Sequence, residues 1–138
     1  GRGADRGLRG ICFDGDEIFI AASDELYCYD RDFKVQDSWR NRYLKHCHEI
    51  CRMGRTIFLT STGFDSLLAF DLDERAFTWG FHLQKQIGEL GEKWTGFTFD
   101  PHSDYGPGAI NEQHKIELRR HPLRPRFRSL CVMMMICM

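Results

Sequence analysis

Apolar and polar residues alternate with a period of two through the first third of the chain. Ile18, Ile20 and Ala22 fall on one side, and Phe19, Ala21 and Ser23 on the other, with both sets largely apolar. A period of two is that of a β-strand, and apolarity on both sides predicts a strand covered on both faces. Polar breaks at Asp14-Gly15-Asp16, Ser23-Asp24 and Asp30-Arg31-Asp32 cut the stretch into four short strands.

The pattern then repeats. "GICFDGDEIFIAAS" from Gly10 is answered by "EICRMGRTIFLTST" from Glu49, so that at a spacing of 39 Ile11 matches Ile50, Cys12 matches Cys51 and Gly15 matches Gly54. "ELYCYDRD" from Glu25 is answered at a spacing of 41 by "SLLAFDLD" from Ser66, which places a two-residue insertion near Gly63 and Phe64. Each copy closes on a tryptophan, Trp39 and Trp79. Units of about 40 residues with four strands and two apolar faces predict β-propeller blades rather than a sandwich, whose strands alternate more cleanly. The expected fold is therefore all-β, a propeller fragment of about two four-stranded blades, with a loop-rich, irregular C-terminal region.

In this division residues 1–82 hold the two blades, at about 8–39 and 47–82. Residues 83–113 are a Gly/Pro-rich loop in which "WTGFTFD" (94–100) starts a third blade, and 114–138 are a basic, then apolar, non-propeller tail. Two blades are fewer than the four to eight a propeller needs to close, so the unit is expected to self-associate through its open blade faces.

"GLRGICFDGDEIFIAASDELYCYDRDF" and "YLKHCHEICRMGRTIFLTSTGFDSLLAFDLD" resemble the N-terminal portion of an uncharacterised, mostly bacterial family of propeller-like proteins. Its members carry a similar "LKHCHEI…LTSTGFDSLL" signature. The resemblance covers about residues 7–82 and implies a closed propeller in the complete protein, but carries no established activity. After about Glu112 it ends.

Net charge of −1 conceals an asymmetry. Residues 1–113 carry 13 Lys and Arg against 19 Asp and Glu, whereas residues 114–138 carry 6 against 1. The Arg/Pro-rich tail has only Phe127 among its arginines, so nucleic acid is not expected as a partner, and nor is a membrane: the apolar run Leu130–Met138 is far short of the roughly 20 residues of a spanning helix. A non-selected end, such as an alternative exon or a frame shift, accounts for its composition. Six cysteines are read as reduced thiols, with Cys12, Cys28 and Cys51 in the core, in a cytoplasmic protein.

Candidate chemistry centres on "KHCHEIC" (45–51). If this segment opens a strand, His46 and His48 share one face and Cys47, Glu49 and Cys51 the other. Two imidazoles at that spacing supply half of a zinc or iron site, to be completed by His82, His102 or His114, with Glu49 as a speculative catalytic base. The equivalent positions in the first blade are Gly7, Arg9 and Gly10, so the histidines are peculiar to the second. In the inserted loop, Ser61, Thr62, Asp65 and Ser66 offer hydroxyls and a carboxylate to a polar ligand, or cap a turn. The recurring Asp30 and Asp71 are expected to brace hairpin turns through Asx bonding. The expected function is a binding or scaffold domain recognising a small polar ligand or a partner protein. The alternative is a metal-dependent propeller enzyme with channel histidines.

Overall fold

A computed structural model describes residues 9–107 and 116–118. Among them there is no α-helix, and the chain forms two antiparallel sheets. The first is a meander of β1 (Arg9–Asp14), β2 (Glu17–Ala21), β3 (Glu25–Tyr29) and β4 (Val35–Arg40), in that spatial order. The second repeats the meander with β5 (Ile50–Met53), β6 (Thr56–Ser61), β7 (Ser66–Asp71) and β8 (Ala76–Gly88). It then adds β9 (Gly91–Phe99) and β10 (Ile116–Leu118) at its outer edge.

The repeat holds at the level of the backbone. Gly15 and Gly54 take φ of 58° and 61°, the left-handed conformation that glycine adopts without penalty at the first central residue of a two-residue hairpin. Asp30 accepts the N–H groups of Asp32 and Lys34, and Asp71 those of Asp73 and Glu74, the expected Asx bracing. Bulges fall at equivalent places, between Cys28 and Tyr29 and between Ala69 and Phe70. The register corrects one equivalence. Asp37 lies opposite Cys28 and Trp79 opposite Ala69, so Trp79 answers to Asp37, and Trp39 answers to Phe81.

The segment expected as loop after residue 82 is largely strand. β8 runs on to Gly88 and turns through Glu89 and Leu90, and its residues 80–88 pair with the whole of β9. "WTGFTF" is thus a strand, but it widens the second blade instead of opening a third. Two glycines make this possible. The Phe99 ring lies over Gly80 and the Phe81 ring over Gly96, each in space that a Cβ would occupy. Ile116–Leu118, expected in the tail, pairs with Trp94–Gly96. The rest of the tail, residues 119–138, and residues 108–115 lie outside the described residues.

The core is the seam between the sheets. Phe19, Leu26 and Cys28 of the first sheet and Ile57, Leu59, Leu68 and Phe70 of the second are almost wholly buried. Trp39 lies 6.3 Å from Phe19 in its own sheet and 4.7 Å from Phe70 across the seam. Each fully buried side chain of this size contributes about 1.5–3 kcal/mol, and this seam is the main attraction between the sheets. Their innermost strands touch at Gly10, where a Cβ would stand 2.7 Å from the Ile50 nitrogen. Two meanders joined face to face, with β1 beside β5, are neighbouring blades.

Ion pairs close one end of the seam. Asp14 receives Arg55 (2.7 Å) and Arg52 (3.3 Å), and Glu17 receives Arg75 (2.7 Å). The Arg75 guanidinium also lies over the Phe19 and Trp39 rings, at 5.6 and 6.0 Å. The hydrogen bond from Arg55 holds the Asp14 carboxyl below its ordinary range.

Candidate functional site

In an antiparallel meander, alternate loops emerge at the same end. The β2–β3 link (22–24), the β4–β5 link (41–49) and the β6–β7 link (62–65) therefore share one end of the blades. "KHCHEIC" lies mostly in the second of these, and the inserted "STGFDS" mostly in the third.

These two stretches hold one another. Ser61 Oγ accepts from the Lys45 N–H (3.0 Å) and donates to the Tyr43 carbonyl (2.5 Å). Thr60 Oγ1 accepts from the N–H groups of His48 (3.2 Å) and Glu49 (3.0 Å). Thr62 Oγ1 donates to the His46 carbonyl (2.9 Å), and the Gly63 N–H to that of Lys45 (3.0 Å). From the first blade, the Ser23 carbonyl receives the Cys47 N–H (3.0 Å) and Ser23 Oγ the His46 N–H (3.3 Å). An irregular link has no ladder to satisfy its amides, and these hydroxyls take that role.

The expected strand character of 46–49 is accordingly wrong: β5 begins at Ile50. His46 has a left-handed backbone, with φ of 53°. The argument that alternation aims His46 and His48 at a common channel loses its basis, since it needed extended backbone. His46 and Glu49 are exposed and His48 is half-buried. The residues proposed to complete a metal site are engaged elsewhere. His82 Nδ1 lies 2.7 Å from the Phe64 carbonyl and 3.1 Å from Ser66 Oγ, and His102 Nε2 lies 2.7 Å from the Phe77 carbonyl. A carbonyl can only accept, so each of these nitrogens carries the proton. His114 is outside the described residues. Among the described residues, no three His, Cys, Asp or Glu side chains gather as a metal-binding group.

The cysteines exchange places. Cys47, not Cys51, is the core residue: Cys47 is 2% exposed, whereas Cys51 is only half-buried. Burial pushes the Cys47 thiol up to about 12, so it is neither a thiolate nor a nucleophile at neutral pH. Cys12 and Cys28, expected in the core, are buried there, and none of the four is in a disulfide.

The four loop residues divide. Ser61 and Ser66 are fully buried and their hydroxyls serve the fold, Ser66 donating to the Phe64 carbonyl (2.7 Å). Thr62 and Asp65 are exposed, with Asp65 in a left-handed conformation (φ 46°) that caps a single turn of 3-10 helix over Thr62–Phe64. Asp65 thus both caps the turn and faces outward, and Thr62 faces outward while bonding the link. The outward polar residues of these two stretches are Lys45, His46, Glu49, Thr62 and Asp65. Sequence reasoning missed the structural use of Thr60 and the anchoring of the link by Tyr43, whose hydroxyl donates to the Ser103 carbonyl (2.6 Å) and whose ring meets Phe64 and Phe99 edge-on. An aromatic three residues before the histidines was the available signal.

No family model matches the chain, and no curated protein matches it. Among solved structures it is similar to the Neurospora crassa Pan2 WD40 domain, at 16% identity and a TM-score of 0.48, over 70% of this chain and 33% of that one. It is also similar to KlHsv2 with loop 6CD replaced by a Gly-Ser linker, at 12% identity and a TM-score of 0.40, over 80% of this chain and 39% of that one. The chain thus spans between a third and two fifths of the length of these structures. The assignment of blades rests on strand order and face packing. No helix among the described residues is long and apolar enough to cross a membrane.

Proposed function

We propose that this chain is a binding or scaffold unit whose loop end recognises a partner protein or a small polar ligand. One observation carries the reading: the link and the inserted loop fix each other's backbone, while Lys45, His46, Glu49, Thr62 and Asp65 remain exposed on the fixed frame. A surface held in one conformation spends less entropy when it binds. The combination of cationic, anionic and hydroxyl groups suits a polar, mixed-charge epitope better than an apolar groove.

Amide chemical shifts of the chain, screened against polar metabolites and mixed-charge peptides, test this. The expected perturbations cluster at 45–49 and 62–65 and disappear in Asp65→Arg and in His46→Ala. Perturbations confined to other surfaces would overturn the reading. Elemental analysis of the same preparations separates the metal alternative, because stoichiometric zinc or iron that is lost in both His46→Ala and His48→Ala would replace it.

A further inference from the structure

Superposing the blades by their register assigns every face a counterpart. First and second strands correspond at a spacing of 39, third strands at 41 and fourth strands at 42. The seam face of the first blade (Phe19, Leu26, Cys28, Trp39) then corresponds to Phe58, Leu67, Ala69 and Phe81, on the far face of the second. The seam face of the second blade (Ile57, Leu59, Leu68, Phe70) corresponds to Ile18, Ile20, Tyr27 and Tyr29, on the far face of the first. Both far faces carry aromatic ladders. On the first blade Tyr27, Tyr29 and Phe33 follow at 6.1 and 6.4 Å, and on the second Phe58, Trp79 and Phe81 follow at 6.4 and 6.0 Å. The two ends therefore repeat the side-chain pattern of the faces already mated inside the unit, with Ile18, Ile20, Leu67 and Ala69 buried and the aromatic residues around them part-exposed.

The correspondence fails in one place, and the failure is informative. The ionic clasp of the seam, Asp14 with Arg52 and Arg55 and Glu17 with Arg75, maps onto Met53 with Phe13 and Asp16 and onto Thr56 with Phe33. Three of the five charges, Asp14, Arg52 and Arg75, are replaced by large apolar side chains, and these stand in water: Met53 is 50% exposed, Phe13 55% and Phe33 62%. Ile11 and Val35, on the same face of the first blade, are 50% and 55% exposed. Five of the seven large hydrophobic side chains that are exposed among the described residues thus lie on the two far faces. Apolar surface gathered in this way marks an interaction site.

We propose that the occupant is a second copy of this chain, the far face of the second blade in one copy seating on the far face of the first blade in the next. The contact reproduces the internal seam, with Met53 against Phe13 in place of Asp14 against Arg52. It is heterologous, so it runs head to tail and closes into a ring where the rotation permits.

Sedimentation velocity on the 138-residue chain over a range of concentrations tests this. Wild type is expected to associate reversibly. Met53→Asp and Phe13→Arg, each checked for an unchanged circular-dichroism spectrum, should each weaken association by roughly a hundredfold, the scale of an unpaired charge at an interface. Combining the two substitutions in one chain should restore pairing, because every head-to-tail contact then sets the Asp of one copy against the Arg of the next, as Asp14 meets Arg52 within the chain. A wild type that stays monomeric up to its solubility limit would overturn the proposal, and leave these faces to a blade of different sequence. Association that is indifferent to Met53→Asp would also overturn it, because a face-to-face contact between two first blades does not use Met53. Should either variant misfold, Met53→Lys and Phe13→Glu, singly and combined in one chain, pose the same question with the charges reversed.

Discussion

If the seam holds the two blades together, removing its central ring should nearly dissolve the unit. Phe70 has no exposed surface and lies between Trp39 of the first blade (4.7 Å) and Phe77 of its own (5.3 Å). Phe70→Ala deletes a ring at a place where the sheets cannot easily close the gap, since their inner strands are already in contact at Gly10 and Ile50. A Phe-to-Ala change in such a site costs about 3–5 kcal/mol. Against the roughly 5–15 kcal/mol total of a small domain, that is a large share. In urea denaturation at low protein concentration, where intermolecular stacking does not contribute, the midpoint should fall by roughly 2 M at a typical denaturant dependence. Trp39→Leu combined with Phe70→Ala should show a coupling of about 0.5–1.5 kcal/mol, the value of an aromatic pair beyond its area. A loss below about 1 kcal/mol for Phe70→Ala, with the double variant additive to within about 0.5 kcal/mol, would refute this placement of the seam.

Three further outcomes follow from particular residues. Gly10→Ala combines a left-handed φ of 73° with a clash against the β5 backbone, and should destabilise by at least about 1–2 kcal/mol in thermal or urea unfolding, whereas Gly54→Ala, with open space around it, meets the φ penalty alone. Glu25 accepts from Arg40, Ser38 and Tyr27, which lower its carboxyl from the usual 4.5 to about 2, with the Arg40 hydrogen bond the largest cause. A depressed folded-state value stabilises above the unfolded one, so the advantage of wild type over Glu25→Gln should be complete above pH 4.5 and shrink as pH falls toward 2, read from melting temperatures across that range. Thiol labelling of the native chain at neutral pH, mapped by peptide mass, should modify Cys51 well before Cys12, Cys28 and Cys47, whose thiols burial holds at about 12, 11 and 12; labelling of Cys47 as fast as Cys51 would place the link wrongly.

The strands and their repeat were legible because their causes are local. Alternating side chains, a glycine at each hairpin and an aspartate bracing each wide turn act over a few residues. What escaped depends on partners distant along the chain. The turn between the third and fourth strands is one residue longer in the second blade, 71–76 against 30–34, so the counterpart of Trp39 is Phe81 and the match to Trp79 is two residues out. The β8–β9 hairpin contains Gly, Glu and Lys at its turn and reads as loop, yet its strands interlock by covering Gly80 with Phe99 and Gly96 with Phe81, across 19 and 15 residues of chain.

The same distinction governs the loop end. "KHCHEIC" and "STGFDS" each stand out as anomalies against the first blade, but no local rule says that one satisfies the other. The hydroxyls of Thr60, Ser61 and Thr62 are explained by the amides and carbonyls of Tyr43 to Glu49 that they bind, about a dozen or more residues away. Once those roles are assigned, a cluster of side chains that resembled chemistry separates into two populations. Cys47, Ser61, Ser66 and His82 are parts of the frame. His46, Glu49 and Asp65 are what the frame displays, and Thr62, exposed but donating to the His46 carbonyl, belongs to both. A hydroxyl already donating to a buried carbonyl would have to break the link to bind anything else, whereas an exposed histidine on a pinned backbone binds without that cost. The displayed set, and not the whole motif, is therefore where recognition by this end of the blades is to be sought.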